Sequence, residues 1–247
     1  MYILAIETTG PFGSVALINE NGKVVGHCLS HDHMNHLKDL MPMTEKMLKD
    51  LDISKEDIGA IACDVGPGSF TVIRIGVSTA RALAQIWGVP CVAVSSLTSC
   101  LMKESAEKYM KEGDKVITVI HNARRRQVYG FMDGYLKDGP WLIDDVIRIA
   151  KEEIGRTKTL CFYGDGIDAY SEIIRTELDK EGISYVFAPE DDRYPDAYEI
   201  ARAGLVRFSA GLVTDHSGLL PDYMREAEAE QKLKAGELPI SKLPKQE

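Results

Sequence analysis

The sequence predicts an α/β fold with two lobes, and three observations support that prediction. Two strand-like runs near the start of the chain flank an Asn-Gly turn at residues 19–22, which is a strong sign of a β-hairpin. Helical and strand-like stretches then alternate as far as residue 112. After the polar residues 111–114, a new strand-like run opens a second group of elements. We therefore expect a first lobe at residues 1–112, a second lobe at 113–219 and a tail at 220–247.

The elements of the first lobe are predicted in the order βββαβαβα. The strands are short apolar runs, whereas Leu37, Leu40 and Leu48 recur at helical spacing and indicate the first helix. Gly88, followed by Pro90, marks the end of the second helix. In chain order, the predicted elements lie at residues 2–6, 14–18, 23–28, 35–51, 60–65, 71–87, 91–94 and 97–110.

The second lobe begins with strands and continues with helices. Pro195 opens the last predicted helix, in the first turn where proline is well tolerated. From Asp222 onward the chain is mostly Glu, Lys and Ala with few core residues, which predicts a helical or disordered tail. In chain order, the predictions are strands at 115–121 and 127–135, a helix at 144–154, a strand at 159–163, and helices at 169–180 and 195–210.

The composition limits the classes of function. The chain has 247 residues, of which 45% are hydrophobic, and this is enough for a sizeable core without disulfides or a structural metal. It carries 29 Lys and Arg against 38 Asp and Glu, a net charge of −9. Because phosphate binding draws on clustered cations, this balance argues against a protein that wraps nucleic acid in its own field. Any contact with RNA would need a partner.

Cysteine usage and the N-terminus predict the compartment. The five cysteines are an odd number, form no Cys-x-x-Cys pair and mostly lie in apolar runs, which is typical of buried thiols in a reducing environment. The opening apolar run reaches Glu7 too early for a signal peptide, and nowhere do eighteen apolar residues follow one another. We therefore expect a soluble, cytoplasmic protein that does not contact a membrane.

The segment 66–71, Gly-Pro-Gly-Ser-Phe-Thr, joins a predicted strand to a predicted helix. Ser69 or Thr71 is expected to cap that helix, and the free amides of such a helix start can hold an anion. The segment lacks the Lys of a P-loop and the third glycine of a dinucleotide-binding motif. A tight turn without a ligand is therefore the simpler interpretation.

Three histidines, His31, His33 and His36, lie within six residues and raise the question of a metal site. Only His36 falls on the predicted helix, and no Cys or carboxylate pair at metal-binding spacing complements them. A solvated helix start explains them better, and we expect neither a metal nor another cofactor.

Two predicted helices have apolar surfaces wider than one sheet can cover. On the second helix, two apolar stripes lie side by side at 100° per residue, and only a narrow polar edge remains. A surface helix needs one apolar face, so the extra stripe indicates contact with a partner helix, although a broad core face is the alternative. The residues predicted to bind a partner are His36, Met43, Met47, Ile73, Val77, Ala80 and Ala84.

Arg124, Arg125 and Arg126 form the basic cluster of an acidic chain, directly after a predicted strand. A solvated hairpin turn is one interpretation of the cluster. Contact with an RNA phosphate or with a partner is the other. No aromatic residue is interleaved with the arginines to favour base stacking.

Five collinear segments resemble the TsaB (YeaZ-type) family of tRNA threonylcarbamoyladenosine biosynthesis. The stretch Gly-Pro-Gly-Ser-Phe-Thr-x-x-Arg-Ile-Gly is specific to this family and its catalytic relatives. The resemblance covers nearly the whole chain. The segments are residues 3–8, 66–76, 94–97, 122–129 and 220–225.

This resemblance implies a fold and a role. The family has the actin-like, sugar-kinase and Hsp70-type (ribonuclease H-like) fold, with two lobes on mixed sheets and a reduced second lobe. Its members bind TsaD, and with the ATPase TsaE the complex transfers threonylcarbamoyl to N6 of adenosine 37 in tRNAs that read codons beginning with A. The metal-binding His-x-x-x-His pair of TsaD corresponds here to Ser96 and Cys100, so the resemblance implies a non-catalytic subunit. A homodimer is expected when TsaD is absent, and tRNA contact only through the complex.

The sequence departs from the family pattern at three places. The family usually has Gly at Val72, Asp at Asn122, and Gly-Glu at Arg126 and Gln127. Loss of the carboxylate at Asn122 lowers the expectation of nucleotide binding. Two alternatives stay open, namely a metallopeptidase-like protein and a small ATPase or sugar kinase of the same fold.

Overall fold

The computed structural model of the protein describes residues 1–30 and 35–224. It contains two five-stranded mixed sheets, each with helices packed on it. The first sheet has the spatial order β3-β2-β1-β4-β5, with the first two pairs antiparallel and the last two parallel. Its strands are Tyr2–Glu7 (β1), Ser14–Asn19 (β2), Val24–Leu29 (β3), Ile58–Gly66 (β4) and Cys91–Ser95 (β5).

The second sheet repeats the connectivity of the first. Its order is β8-β7-β6-β9-β10, again with two antiparallel and then two parallel pairs. This duplicated topology is the one expected from the actin-like fold class. The strand β10 was not predicted from the sequence, and it has only three residues. The strands are Lys115–Asn122 (β6), Gln127–Met132 (β7), Leu136–Leu142 (β8), Thr159–Tyr163 (β9) and Tyr185–Phe187 (β10).

Helices cover both faces of the first sheet. The side chains of α1 and α2 pack in one apolar core with Leu4 and Ile6 of β1. On the opposite face, α7 packs in a second core with Ile3 and Ala5. The helices are His36–Asp50 (α1), Phe70–Trp87 (α2), Ser96–Ser99 (α3), Glu104–Glu112 (α4), Ile143–Ile149 (α5), Gly166–Glu181 (α6) and Ala197–Ser209 (α7).

Helix packing crosses the predicted lobe limits at residues 112 and 219. Leu97 and Ala106, from the α3–α4 segment, belong to the core of the second sheet, whereas α7 returns to the first sheet. Pro195 lies outside α7, since Asp196 is the N-cap and its side chain accepts a hydrogen bond from the Tyr198 amide. As domain limits, residues 112 and 219 stay predictions.

The predicted helix at 97–110 is wrong, because the chain breaks at Lys103. This residue has an extended conformation, with φ −67° and ψ 137°, between a short 3-10 turn and α4. Its ammonium is buried and lies 3.6 Å from a Glu199 carboxylate oxygen and 3.7 Å from one of Asp192. A buried ammonium needs such carboxylates, so this contact favours the break that turns the chain toward the second sheet.

The burial of the cysteines and the character of the helices bear on two expectations from the composition. Four of the cysteines are buried and Cys28 is half-buried, and all five are free thiols. Within the described part of the chain, no helix has the length and apolar character needed to cross a membrane.

Gly204 of α7 is a close-packing point against the first sheet. A Cβ at this position would lie 2.5 Å from the Ala62 Cβ of β4. We therefore expect Gly204→Ala to force the helix away from the sheet and to cost about 1–3 kcal/mol of stability. Thermal unfolding followed by circular dichroism should show a lower Tm. Val206→Ala, on the exposed side of the same helix, should stay near the wild-type Tm; equal Tm values for both variants would contradict this packing.

Candidate functional site

A buried pair of carboxyl groups lies where β1 and β4 end. The two strands are parallel neighbours, and the pairing of Ile6 with Cys63 places Glu7 beside Asp64. Both side chains are fully buried. Two carboxylates in such a position are costly unless donors or a proton compensate them.

The hydroxyl of Thr9 bridges these two carboxyl groups. Its oxygen lies 2.8 Å from Glu7 Oε1 and 3.0 Å from Asp64 Oδ2. A hydroxyl has one hydrogen and can donate to only one of them. A proton on the second carboxyl would make that contact a hydrogen bond as well.

The pKa values agree with a shared proton. Burial, followed by the charge of Asp64, raises the pKa of the Glu7 carboxyl well above its usual range. Burial also raises the pKa of Asp64 to about 7. Hydrogen bonds from the backbone oppose these shifts in part, since Gly10 N donates to Glu7 Oε1 at 2.9 Å and Gly66 N to Asp64 Oδ1 at 2.8 Å.

A histidine of the second lobe faces the same region. His121 lies near the end of β6, is buried, and has its Nδ1 atom 3.2 Å from Asp165 Oδ1. Burial opposes its charged form, but hydrogen bonds to Asp165 and Cys100 outweigh this effect and raise the pKa of His121 to about 10. Its charge in turn favours ionised Asp64. The carboxyl ends of β1, β4 and β6 therefore meet in one buried polar cluster between the lobes.

Ser96 and Cys100, which the family resemblance aligns with the metal-binding histidines of TsaD, are both buried in this cluster. The Cys100 thiol lies 3.5 Å from the Ser96 carbonyl oxygen, in a hydrogen-bond contact within the same segment. The Ser96 hydroxyl donates to the Pro67 carbonyl at 2.7 Å. This second bond holds the start of α3 against the loop that precedes α2.

That loop, residues 66–69, is covered by the C-terminal segment 219–224. Asp222 N donates to the Val65 carbonyl at 2.7 Å, and the Tyr223 ring stacks on Phe70 with centroids 4.3 Å apart. Gly66 has a φ of +110°, and a Cβ there would lie 2.4 Å from the Asp222 carbonyl oxygen, so only glycine fits. The predicted tail is therefore packed up to residue 224, and residues 225–247 lie outside the described residues.

The predicted anion contacts at the start of α2 are only partly placed as expected. Ser69 holds the N-cap position, but its side chain makes no capping hydrogen bond among the described residues. Thr71 lies in the first turn and is exposed. Contact of either residue with an anion stays a prediction.

The residues predicted to bind a partner are mostly internal. Met43 is half-buried, and Ala80 is fully buried in the core beneath α2. The two apolar stripes of α2 merge into one broad face that the sheet, α1 and the C-terminal segment cover together. Gly76 likewise serves the protein's own fold, because a Cβ there would lie 2.4 Å from Thr8 Oγ1. The other buried members of the predicted set are His36, Met47, Ile73, Val77 and Ala84.

Burial of Ala80 changes one expectation in particular. From the sequence, Ala80 is expected to contact a partner helix. In the structure, Ala80→Arg would place a guanidinium in the protein's own core, so we expect unfolding of the first lobe. This substitution therefore cannot test an interface.

His36 is the one histidine of the predicted cluster within the described residues. Its ring is buried, not solvated, because Nε2 lies 3.0 Å from the Gly10 carbonyl oxygen and the ring packs on Gly13. It thereby fixes the start of α1 to the loop after β1. His31 and His33 lie outside the described residues.

Different residues of the same helices are exposed and apolar. Leu37 and Met41 of α1 are 77% and 45% exposed, and Ile86 of α2 is 74% exposed. Ile75 of α2 is half-buried and lies on the same side of that helix as Ile86 in the helical projection. We call these four residues the α1/α2 surface. Sequence periodicity finds apolar stripes but does not show how much of each stripe neighbouring elements cover, which is why this set was missed.

The three arginines lie at the tip of the β6–β7 hairpin, and all three are exposed. Arg126 pairs with Asp144, with Nε 3.0 Å from Oδ2. Asn122, where the family usually has Asp, accepts a hydrogen bond from the Arg124 amide at 2.9 Å. The predicted hairpin turn is therefore present, and its contacts with a phosphate or partner stay a prediction.

Comparison with known proteins adds a family and a fold. The family model described as TsaD, tRNA N6-adenosine threonylcarbamoyltransferase, matches residues 30–233. The tRNA threonylcarbamoyladenosine biosynthesis protein TsaB of Bacillus subtilis is 31% identical over 240 residues, covering 94% of this chain and 97% of that protein. TsaB of Escherichia coli is 34% identical over 154 residues, 62% of this chain and 64% of that protein.

Two solved structures from Pseudomonas aeruginosa have the same fold. YeaZ superposes with a TM-score of 0.68 at 21% identity, covering 90% of this chain and 99% of that one. A protein described as similar to peptidase YeaZ gives a TM-score of 0.72 at 22% identity, covering 91% and 99%. The predicted fold class is confirmed.

The shared proton makes a prediction about pH. The Glu7–Asp64 pair holds its proton in the folded state at pH values where the unfolded chain has released it. The pair's contribution to stability therefore falls as pH rises from about 4 to about 7. Glu7→Gln removes one member of the pair. The Tm difference, variant minus wild type, should therefore increase from pH 5 to pH 8 in thermal unfolding.

Glu104→Gln is the matched control, because Glu104 is exposed at the start of α4. Its Tm difference from wild type should stay constant over the same pH range. A Glu7→Gln difference that is equally flat would show that the carboxyl pair does not share a proton.

Proposed function

Since the chain belongs to the TsaB (YeaZ-type) family, we propose that it is a non-catalytic subunit in tRNA threonylcarbamoyladenosine synthesis. In this proposal it binds a TsaD-type catalytic subunit, and a TsaE-type ATPase joins the complex. The complex transfers threonylcarbamoyl to N6 of adenosine 37 in tRNAs that read codons beginning with A. The tRNA is recognised by the complex, in the cytoplasm, and not by this acidic chain alone.

The observation that carries the proposal is the α1/α2 surface. Leu37, Met41 and Ile86 expose apolar side chains on helices that cover the same face of the first sheet. Soluble monomers rarely expose several large apolar residues together unless the patch contacts another molecule. Helix-on-helix packing with a protein of the same fold would cover the exposed side of both helices.

One surface of this kind can serve two partners in turn. In the absence of the TsaD-type subunit, a second copy of this chain would present the same two helices, and a two-fold axis would pair them with each other. We therefore propose a homodimer that the TsaD-type subunit replaces. The two complexes exclude each other because they use the same residues.

The hydrogen bonds of the polar side chains between the lobes support a non-catalytic role. Ser96 and Cys100 use their polar atoms in hydrogen bonds to the protein backbone, and neither offers the imidazole nitrogens of a metal-binding pair. Asn122 is likewise used internally, by the Arg124 amide and by the Tyr170 hydroxyl at 3.3 Å. These contacts favour a scaffold over the metallopeptidase-like and kinase-like alternatives.

A charge placed on the α1/α2 surface tests the interface. Leu37 is largely exposed, so Leu37→Arg should leave the Tm of the isolated chain near wild type. In the complex the guanidinium would be buried without a partner, and we expect affinity for the TsaD-type subunit to fall by about 100-fold. Isothermal titration calorimetry with the purified TsaD-type subunit measures the loss.

Val206→Arg provides the matched control. Val206 is 60% exposed on α7, which covers the opposite face of the first sheet. This variant should bind the TsaD-type subunit as wild type does, and only Leu37→Arg should also disrupt the homodimer in gel filtration. Wild-type affinity of Leu37→Arg for both partners would place the interface elsewhere.

Activity provides a second test. The isolated chain should not transfer threonylcarbamoyl to tRNA or hydrolyse peptides, because Ser96 and Cys100 are committed to structural hydrogen bonds. Modified adenosine, measured by mass spectrometry of digested tRNA, should form only when the TsaD-type subunit and the ATPase are added. Turnover by the pure chain that a chelator abolishes would refute the non-catalytic role.

A further inference from the structure

The tip of the β6–β7 hairpin concentrates positive charge on an acidic protein. Three consecutive arginines are exposed there, whereas the chain as a whole carries a net charge of −9. Arg126 is held by Asp144 in a side-on pair through two guanidinium nitrogens. Arg124 and Arg125 are exposed on the same turn.

The backbone of this tip has an unfavourable conformation. Arg124, Arg125 and Arg126 have φ values of +62°, +51° and +62°, in the left-handed region that residues with a Cβ avoid. Three such residues in succession persist only when surrounding contacts hold them, and strained segments of this kind cluster at ligand-binding sites. At Arg126 the family usually has glycine, which would adopt this conformation without strain.

Specific contacts hold the tip in this shape. The Asn122 side chain accepts a hydrogen bond from the Arg124 amide at 2.9 Å, and Gln127 N donates to the Arg124 carbonyl at 2.9 Å. The Ile143 amide donates to the Arg126 carbonyl, also at 2.9 Å. The turn is therefore fixed to both neighbouring strands, and its arginines start from a preorganised backbone.

The tip lies directly after the buried polar cluster between the lobes. It follows the carboxyl end of β6, where Asn122 N donates to Asp165 Oδ1 at 2.9 Å and the buried His121 ring contacts the same carboxylate oxygen. Asn122 is itself exposed, so the chain reaches the surface just before the arginines.

We propose that Arg124 and Arg125 bind phosphates of the tRNA backbone at the tip of the β6–β7 hairpin. The proposal rests on the proposed role in tRNA modification. A guanidinium is a planar fork that matches a phosphate through two hydrogen bonds, and it keeps its charge at all relevant pH values. Protein interfaces have an apolar centre. This tip instead presents the side-chain amide of Asn122 and the three arginine guanidinium groups. Its composition therefore favours RNA over a protein as the ligand.

The test uses the wild-type chain in its complex with the TsaD-type subunit. A fluorescently labelled transcript of a tRNA that reads a codon beginning with A is titrated at several KCl concentrations, and binding is followed by anisotropy. The variant Arg124→Ala/Arg125→Ala should bind about tenfold more weakly near 0.1 M KCl. The slope of log K against log [KCl] should become shallower by about 1.4–1.8, the value expected for two lost phosphate contacts.

Two further variants separate charge from other effects. Arg124→Lys/Arg125→Lys keeps the cations and should retain most of the salt slope. Lys108→Ala/Lys111→Ala removes two exposed cations from α4, and should bind tRNA as wild type does. Equal losses in the arginine and lysine pairs of alanine variants would mean a general field effect and would overturn the proposal.

Assembly is measured in parallel by gel filtration of each variant with the TsaD-type subunit. The arginine double variant should still assemble, and its failure to do so would mean that the tip contacts protein, which overturns the proposal. Unchanged tRNA affinity and salt slope in this variant would overturn it as well. Failure of the proposed function is distinguishable, because then the wild-type chain itself would neither assemble nor support modification.

Discussion

Both faces of the first sheet are apolar, and the need to cover them determines where much of the remaining chain goes. Along β1, Leu4 and Ile6 face one core while Ile3 and Ala5 face another. The helices that follow β3 and β4 cover only one of these faces. The other is covered by α7, which must return from the far end of the chain. Small residues allow this return, since Gly204 meets Ala62 with no room for another methyl group.

This arrangement joins the lobes through the elements they exchange. The α3–α4 segment packs with the second sheet, and α7 packs with the first, so two crossings link the cores. An ion pair strengthens the link, with Arg202 of α7 donating to Glu107 of α4 at 2.7 Å. The C-terminal segment adds a third link, because Leu219 is buried in the first core while Met224 packs on the second. The buried polar cluster and its carboxyl pair are therefore held from both sides.

The sequence predicts local features well and shared surfaces poorly. Strand runs, the Asn-Gly hairpin and the glycine end of α2 depend on neighbouring residues, and the structure has each of them. The break at Lys103 depends on Glu199, which is almost a hundred residues away, and helical periodicity holds no trace of it. Similarly, Ala80 and Ile86 are both apolar residues of one helix, and the packing of the sheet, α1 and the C-terminal segment decides that the first is buried and the second exposed. The carboxyl pair needed the register of β1 and β4, which a single strand sequence does not contain.

The two surfaces with a proposed partner lie on different lobes, and this has a consequence for assembly. The α1/α2 surface belongs to the first lobe, and the arginine tip belongs to the second. Under these two proposals, a protein and an RNA would bind at the same time without competing. Because the lobes are tied by α3–α4, α7 and the C-terminal segment, the distance between the two surfaces is set by the core and not by a linker. The chain would then contribute to catalysis by geometry, since it would hold the tRNA backbone at a set position relative to the catalytic subunit without a reactive group of its own.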